Sequence, residues 1–115
     1  MSASVLVVED NPEIRNGMKA LISGHTVAVA ATVIDALAYL NSATPTHLLL
    51  DLNLPDGPGT DVLRRIRGQG SPVRVAIVSG GSDTPLMDEA RQLGVEAVFI
   101  KPPDWDRLCE WLAHA

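Results

Sequence analysis

Cysteine occurs once in this chain, at Cys109, which excludes an internal disulfide and makes a reducing, intracellular compartment the expectation. Basic residues are also scarce. Nine Lys and Arg stand against fourteen Asp and Glu, a net charge of −5, and a nucleic-acid surface needs a basic face to neutralise phosphates. Direct nucleic-acid binding is therefore not expected. Long apolar runs are missing as well: no window approaches the ~20 residues a membrane helix needs. The chain reaches the acidic Glu9-Asp10 without the basic segment and apolar stretch of a signal peptide. A cytoplasmic protein that contacts no membrane is the expectation. Aromatics make up only 3%, so the core must be aliphatic.

What is present is a single domain, residues 1–115, with 46% hydrophobic residues, enough for a real core but too short for two. Ser4-Val5-Leu6-Val7-Val8, Thr26 to Ala31, His47-Leu48-Leu49-Leu50, Val73 to Val78 and Ala97-Val98-Phe99-Ile100 read as strands, most of them apolar without alternation and so buried on both faces. Between and after them come amphipathic helices. Asn11-Pro12 opens the first, with Ile14, Met18, Leu21 and Ile22 on one stripe and Gly24 at its end. Thr32 and Asp35 suggest a capping box for the second, which buries Val33, Ala36, Leu37 and Leu40. Asp56-Gly57-Pro58-Gly59 is a turn-rich loop leading to a third helix, with Val62, Leu63 and Ile66 inward and Arg64, Arg65 and Arg67 mostly in solvent. The fourth starts at Ser82-Asp83-Thr84-Pro85, aligns Leu86, Ala90 and Leu93, and ends at Gly94. The fifth aligns Trp105, Leu108, Cys109 and Leu112. Buried strands alternating with helices imply an α/β fold, a doubly wound parallel sheet covered on both faces.

In such a sheet, ligands bind beyond the carboxyl ends of the strands. Those ends carry Glu9-Asp10, Asp51, Ser79 and Lys101. Packing alone would not select them. Three acids at one edge repel one another unless a cation sits among them, and a hard divalent ion with oxygen ligands, Mg²⁺ or Mn²⁺ in its place, suits the set. Lys101 adds a mobile charge fit for phosphate and Ser79 a hydroxyl donor. The combination fits a carboxylate nucleophile that accepts a phosphoryl group.

Val5-Leu6-Val7-Val8-Glu9-Asp10-Asn11, Asp51 with Pro55 and Gly59, Ser79-Gly80 and Lys101-Pro102 stand in order on successive strand ends. Over essentially its full length the chain thereby resembles the response-regulator receiver domain of two-component signalling. The resemblance implies a flavodoxin-like (βα)5 fold with strand order 2-1-3-4-5. It also implies roles: Asp51 as phosphoacceptor, Asp10 as direct metal ligand, Glu9 acting on the metal mostly through water, and Asn53 lending its backbone carbonyl. Ser79 would hydrogen-bond the phosphoryl group and report its presence. Lys101 would pair with that group, and the Lys101-Pro102 bond would be cis. A histidine kinase or histidine phosphotransfer protein would be the donor. The output would be a partner protein met at the fourth helix, fifth strand and fifth helix, or a phosphorylation-dependent homodimer.

Two departures from the family pattern stand out. Val98 occupies the place, three residues before the lysine, where receivers usually carry Tyr or Phe, and Phe99 comes one position later. Gly81 leaves the approach to the phosphate unshielded, so a short-lived phosphate is expected. The chain ends with its fifth helix, which suggests a stand-alone receiver, the alternative being a receiver cut from a larger response regulator or hybrid kinase. Such a domain is not an enzyme in the ordinary sense, since it gains and loses a phosphoryl group on its own side chain. The competing function is a pseudo-receiver that only binds partners or dimerises. An aspartyl-phosphate hydrolase is disfavoured because Asn53 stands where a second acid would be expected. Outside the site, His25, His47 and His114 are expected at the surface or in capping roles, Cys109 in the core, and Trp111 either at a partner contact or packed on the sheet rim.

Overall fold

A computed structural model describes residues 3–81 and 84–114. Five parallel strands form one sheet: β1 (Ser4–Val8), β2 (Thr26–Ala30), β3 (His47–Leu50), β6 (Arg74–Ser79) and β7 (Ala97–Ile100), in the order β2-β1-β3-β6-β7. This is the flavodoxin-like order expected. A short antiparallel ladder, β4 (Asn53–Leu54) with β5 (Gly57–Pro58), sits in the loop after β3. Its turn residues give a plain loop in the sequence pattern, since two-residue strands leave no periodic signal.

The helices are α1 (Pro12–Leu21), α2 (Val33–Ser42), α3 (Thr60–Gly68), α4 (Thr84–Leu93) and α5 (Trp105–His114). Among the described residues, no helix is long and apolar enough to cross a membrane. The pleat alternation of the strands divides the core. Leu6, Val8, Leu48, Leu50, Val75 and Ile77 face α2, α3 and α4, where Val33, Ala36, Val62, Leu63, Ile66, Met87 and Ala90 are buried. Val5, Val7, Leu49, Ala76 and Val78 face Met18, Leu108 and Leu112 of α1 and α5. Each fully buried Leu or Val contributes about 1.5–3 kcal/mol, so the run Leu48-Leu49-Leu50 anchors both layers at once.

Helix ends follow local chemistry, with one long-range exception. The Asn11 side chain accepts from the backbone N–H groups of Glu13 and Ile14, and Pro12 stands in the first turn. Thr32 accepts from the Asp35 N–H, but the carboxylate that covers the start of α2 belongs to Asp56, which accepts from Val33 N–H at 2.8 Å and Ile34 N–H at 3.0 Å. Gly94 after α4 has φ +104°, a left-handed end that glycine takes readily. The expected opening of α4 at Ser82-Asp83 lies outside the described residues, as does the side chain of His114. On α4 the inward face centres on Met87 and Ala90, with Leu86 and Leu93 at its flanks.

Two expectations about polar residues are corrected. Arg67 does not stand in a solvated arginine face. Its guanidinium donates to the carbonyls of Gly94 (3.0 Å), Val73 (2.9 Å) and Ser71 (3.4 Å) and to Glu96 (3.0 Å). Arg64 and Arg65 are exposed as expected, Arg64 pairing with Asp61 and Glu89. His47 is buried rather than superficial, its ring meeting Trp111 edge-to-face at 5.2 Å. Trp111 thus packs on the sheet rim. His25, half-buried, accepts from the Ala3 N–H through Nδ1.

Candidate functional site

Parallel register builds the site. Val8 pairs with Leu50 and Leu50 with Ile77, so the residues just past β1 and β3 emerge side by side. The Asp51 N–H donates to the Val8 carbonyl at 3.0 Å and the Glu9 N–H to the Ala30 carbonyl at 3.0 Å. On the other flank Ser79 pairs with Ile100, and the Lys101 N–H donates to the Ser79 carbonyl at 2.8 Å. The Lys101-Pro102 peptide is cis, as expected.

Asp51 is 5% exposed and accepts on both oxygens. Oδ1 takes the Ser79 hydroxyl at 3.3 Å and the Asn53 N–H at 3.1 Å, while Oδ2 takes the Lys101 ammonium at 3.0 Å. Lys101 Nζ also lies 2.5 Å from Glu9 Oε1. Glu9 is fully buried, and its Oε2 accepts from the Asn11 N–H at 3.1 Å. Asp10 is exposed at the mouth of the site. One oxygen each of Glu9, Asp10 and Asp51 lies within 4.8 Å of the others.

Burial pushes the Glu9 carboxyl above its usual range; Lys101 and the Asn11 N–H counter this in part, and the Asp51 charge adds to the rise. For Lys101, burial pulls downward, but the bonds to Glu9 and Asp51 outweigh it and the ammonium is held above its usual value. Glu9 Oε1 is a buried oxygen that faces the Lys101 ammonium. An oxygen-only set of three carboxylates within 4.8 Å of one another fits a hard divalent cation.

The structure brings together Glu9, Asp10, Asp51, Ser79 and Lys101. The Asn53 side chain is exposed, and its backbone N–H donates to Asp51 Oδ1. Val98 is half-buried against the core of the α2–α4 face, and Phe99 packs on the opposite face. That second face is where the local aromatic has gone. Gly81 is exposed, with φ +79°, and a Cβ there would meet Ile100 at 3.1 Å.

Two supporting roles were not legible beforehand. A Cβ on Gly59 would fall 2.1 Å from the Asp51 carbonyl oxygen, so only glycine lets α3 start against the acceptor strand. Arg15 reaches back from α1 to the carbonyls of Glu9 (3.2 Å) and Asp10 (3.4 Å). Gly59 belongs to the motif that carries the resemblance, but neither a turn glycine nor an arginine on a polar helix face signals by itself the contact it makes.

The response regulator receiver domain family matches residues 5–113. The Regulator of RpoS of Escherichia coli (strain K12) is 34% identical over 109 residues, which is 92% of this chain but only 32% of that protein's length. Among solved structures, a CheY-like response regulator receiver domain protein from Methanospirillum hungatei JF-1 superposes with a TM-score of 0.90 at 24% identity, covering 98% of this chain and 92% of its own. The receiver domain of a sensor histidine kinase from Pseudomonas aeruginosa PAO1, with a magnesium ion coordinated in its active-site cleft, gives 0.85 at 24% identity, covering 97% and 95%. The chain belongs to the response regulator receiver domain family.

Proposed function

We propose that the chain is a phosphoaccepting switch in which Asp51 takes a phosphoryl group from a phosphohistidine donor with the help of Mg²⁺, and so changes which proteins it binds. The observation that carries this reading is the ligation of Asp51: a lysine on one oxygen, a serine and a backbone N–H on the other, and two further carboxylates within metal-sharing distance. Asp10, Glu9, Asp51 and the backbone carbonyl of Asn53 would hold Mg²⁺ or Mn²⁺. When bound, the ion would neutralise the charge that develops on the transferring phosphoryl oxygens. The magnesium ion coordinated in the Pseudomonas receiver's active-site cleft supports magnesium as the cation.

The protein's own groups do the rest. The Asn53 N–H fixes the carboxylate rotamer, and an Asp51 oxygen forms its bond to phosphorus as the phosphorus–nitrogen bond of the donor breaks. Lys101 leaves its present partners for a phosphoryl oxygen, and Ser79 donates to another. Because Ser79 gives up its bond to Asp51 in doing so, the end of β6 is the part of the fold that registers the change. The donor would be a histidine kinase or a histidine phosphotransfer protein, and the output a protein docking on α4, β7 and α5 or a second copy of the chain. The chemistry is self-directed, since the group is gained and lost on Asp51 and no separate substrate is turned over. Gly81 places no side chain over the phosphate, which favours a short lifetime.

Incubation with Mg²⁺ and acetyl phosphate tests the reading by intact-mass spectrometry. One phosphoryl group should be gained, lost again well within hours, and absent in Asp51→Asn or in excess chelator. A wild-type chain that gains no mass would be a pseudo-receiver.

A further inference from the structure

Resting on the metal-site reading above, we infer that Arg15 is a positioning residue for the divalent cation, holding the peptide planes that aim Glu9 and Asp10. It lies on the first turns of α1, half-buried, with Nη1 3.2 Å from the Glu9 carbonyl and 3.4 Å from the Asp10 carbonyl. Both carbonyls belong to the stretch where the chain leaves β1. The Glu9 N–H is still bonded to Ala30, but from there on the sheet gives the backbone no further ladder. A side chain takes over where the ladder stops.

The choice of partners is informative. A guanidinium next to an acidic cluster would be expected to fork onto a carboxylate. Among the described residues Arg15 makes no ion pair, while Lys101 takes both Glu9 and Asp51. The arginine therefore grips the backbone and does not compete for the carboxylate oxygens. The helix cap works in the same direction. The Asn11 N–H donates to Glu9 Oε2, and the Asn11 side chain fixes the first turn from which Arg15 reaches back. Three acids whose oxygens lie within 4.8 Å repel one another in the absence of metal. Unless their backbone is held, Asp10, the exposed member, would swing outward and the ligand set would have to be reassembled at each binding event.

A positive charge near a cation site also has an opposite effect, since it repels the incoming ion. Arg15 is half-exposed, so water and salt screen that repulsion, whereas its hydrogen bonds act directly on two consecutive peptide groups. Positioning should outweigh repulsion. The two effects differ in sign, which makes the inference decidable.

The test is titration of the ¹⁵N-labelled chain with MgCl₂ at constant ionic strength, following amide shifts in Arg15→Met, Arg15→Lys and Met18→Ala. Arg15→Met should raise the Kd for Mg²⁺ about tenfold, the lower end of what loss of a partner behind a ligating group does. Arg15→Lys keeps the charge but changes the shape and reach of the donor group, and should lie between wild type and Arg15→Met. If Arg15→Met does not fold, a Kd for Arg15→Lys above that of wild type still supports the role. Met18→Ala, a core truncation on the same helix, should lower the melting temperature and leave the Kd unchanged. An unchanged or tighter Kd in Arg15→Met, or equal weakening in Met18→Ala, overturns the inference while the metal-site reading stands. A wild-type chain that takes up no Mg²⁺ overturns both.

Discussion

Glu9 carries no exposed surface, and a buried carboxylate costs free energy unless opposite charge and donors offset it. Its carboxyl is held above the ordinary glutamate value of 4.5, burial outweighing Lys101 and the Asn11 N–H, with repulsion from Asp51 added. The native metal-free chain therefore binds more protons than the unfolded chain in the interval just above pH 4.5. Through this group stability rises as pH falls across that interval and declines as pH rises through the raised value. Urea midpoints in chelator should show this acid-side gain, and Glu9→Gln should flatten it; a wild-type curve with no such rise would contradict the assignment. Lys101 has the same sign in another window. Its raised value means that its contribution is complete at neutral pH and is lost as alkali titrates the ammonium. The two groups are linked: Lys101 offsets part of the cost of burying Glu9, and Glu9 in turn helps to hold the ammonium charged.

At the scale of elements, two side chains join pieces that periodicity keeps apart. Asp56, in the loop after the acceptor strand, covers the N-terminus of α2, where a negative charge also suits the helix dipole. Arg67 ties the end of α3 to the loops entering β6 and β7, and Glu96 completes the link by accepting from the Val75 N–H at 2.8 Å. Hydrogen bonds involving a charged group contribute about 1.5–3 kcal/mol. Arg67→Met should therefore cost about 2 kcal/mol in urea unfolding. Arg65→Met, two residues earlier on an exposed face, should stay within about 0.5 kcal/mol. Equal effects at the two positions would mean that Arg67 belongs to a solvated face after all.

Over the whole molecule, two core layers share one sheet, and the radius of gyration of 12.6 Å is close to the ~13 Å typical of a domain this size. Such a unit is expected to unfold cooperatively, so a ligand held at the strand ends stabilises all of it. Mg²⁺ at about a hundred times its Kd should add about 2.7 kcal/mol to the unfolding free energy. Asp10→Asn should remove most of that gain while changing metal-free stability little, because Asp10 is exposed. A denaturation midpoint indifferent to Mg²⁺ would rule out metal binding to the native state.

The amino-acid sequence by itself determined the five strands, the five helices and the chemistry of the strand ends. Short unbroken apolar runs bounded by turn residues, such as Leu48-Leu49-Leu50, suit inner strands, and parallel strands deliver their C-terminal residues to a common edge. That is why Glu9, Asp10, Asp51, Ser79 and Lys101 could be named before any coordinates. Tertiary structure alone decided the contacts that cross between elements: Asp56 on α2, Arg67 under the β6 and β7 loops, His47 against Trp111, Gly59 against the Asp51 carbonyl, and Arg15 behind Glu9 and Asp10. Each depends on how a loop bends or how a helix docks, over separations that local periodicity does not encode. The sequence supplied the reacting groups, and the fold supplied the backbone and side-chain supports that hold them in place.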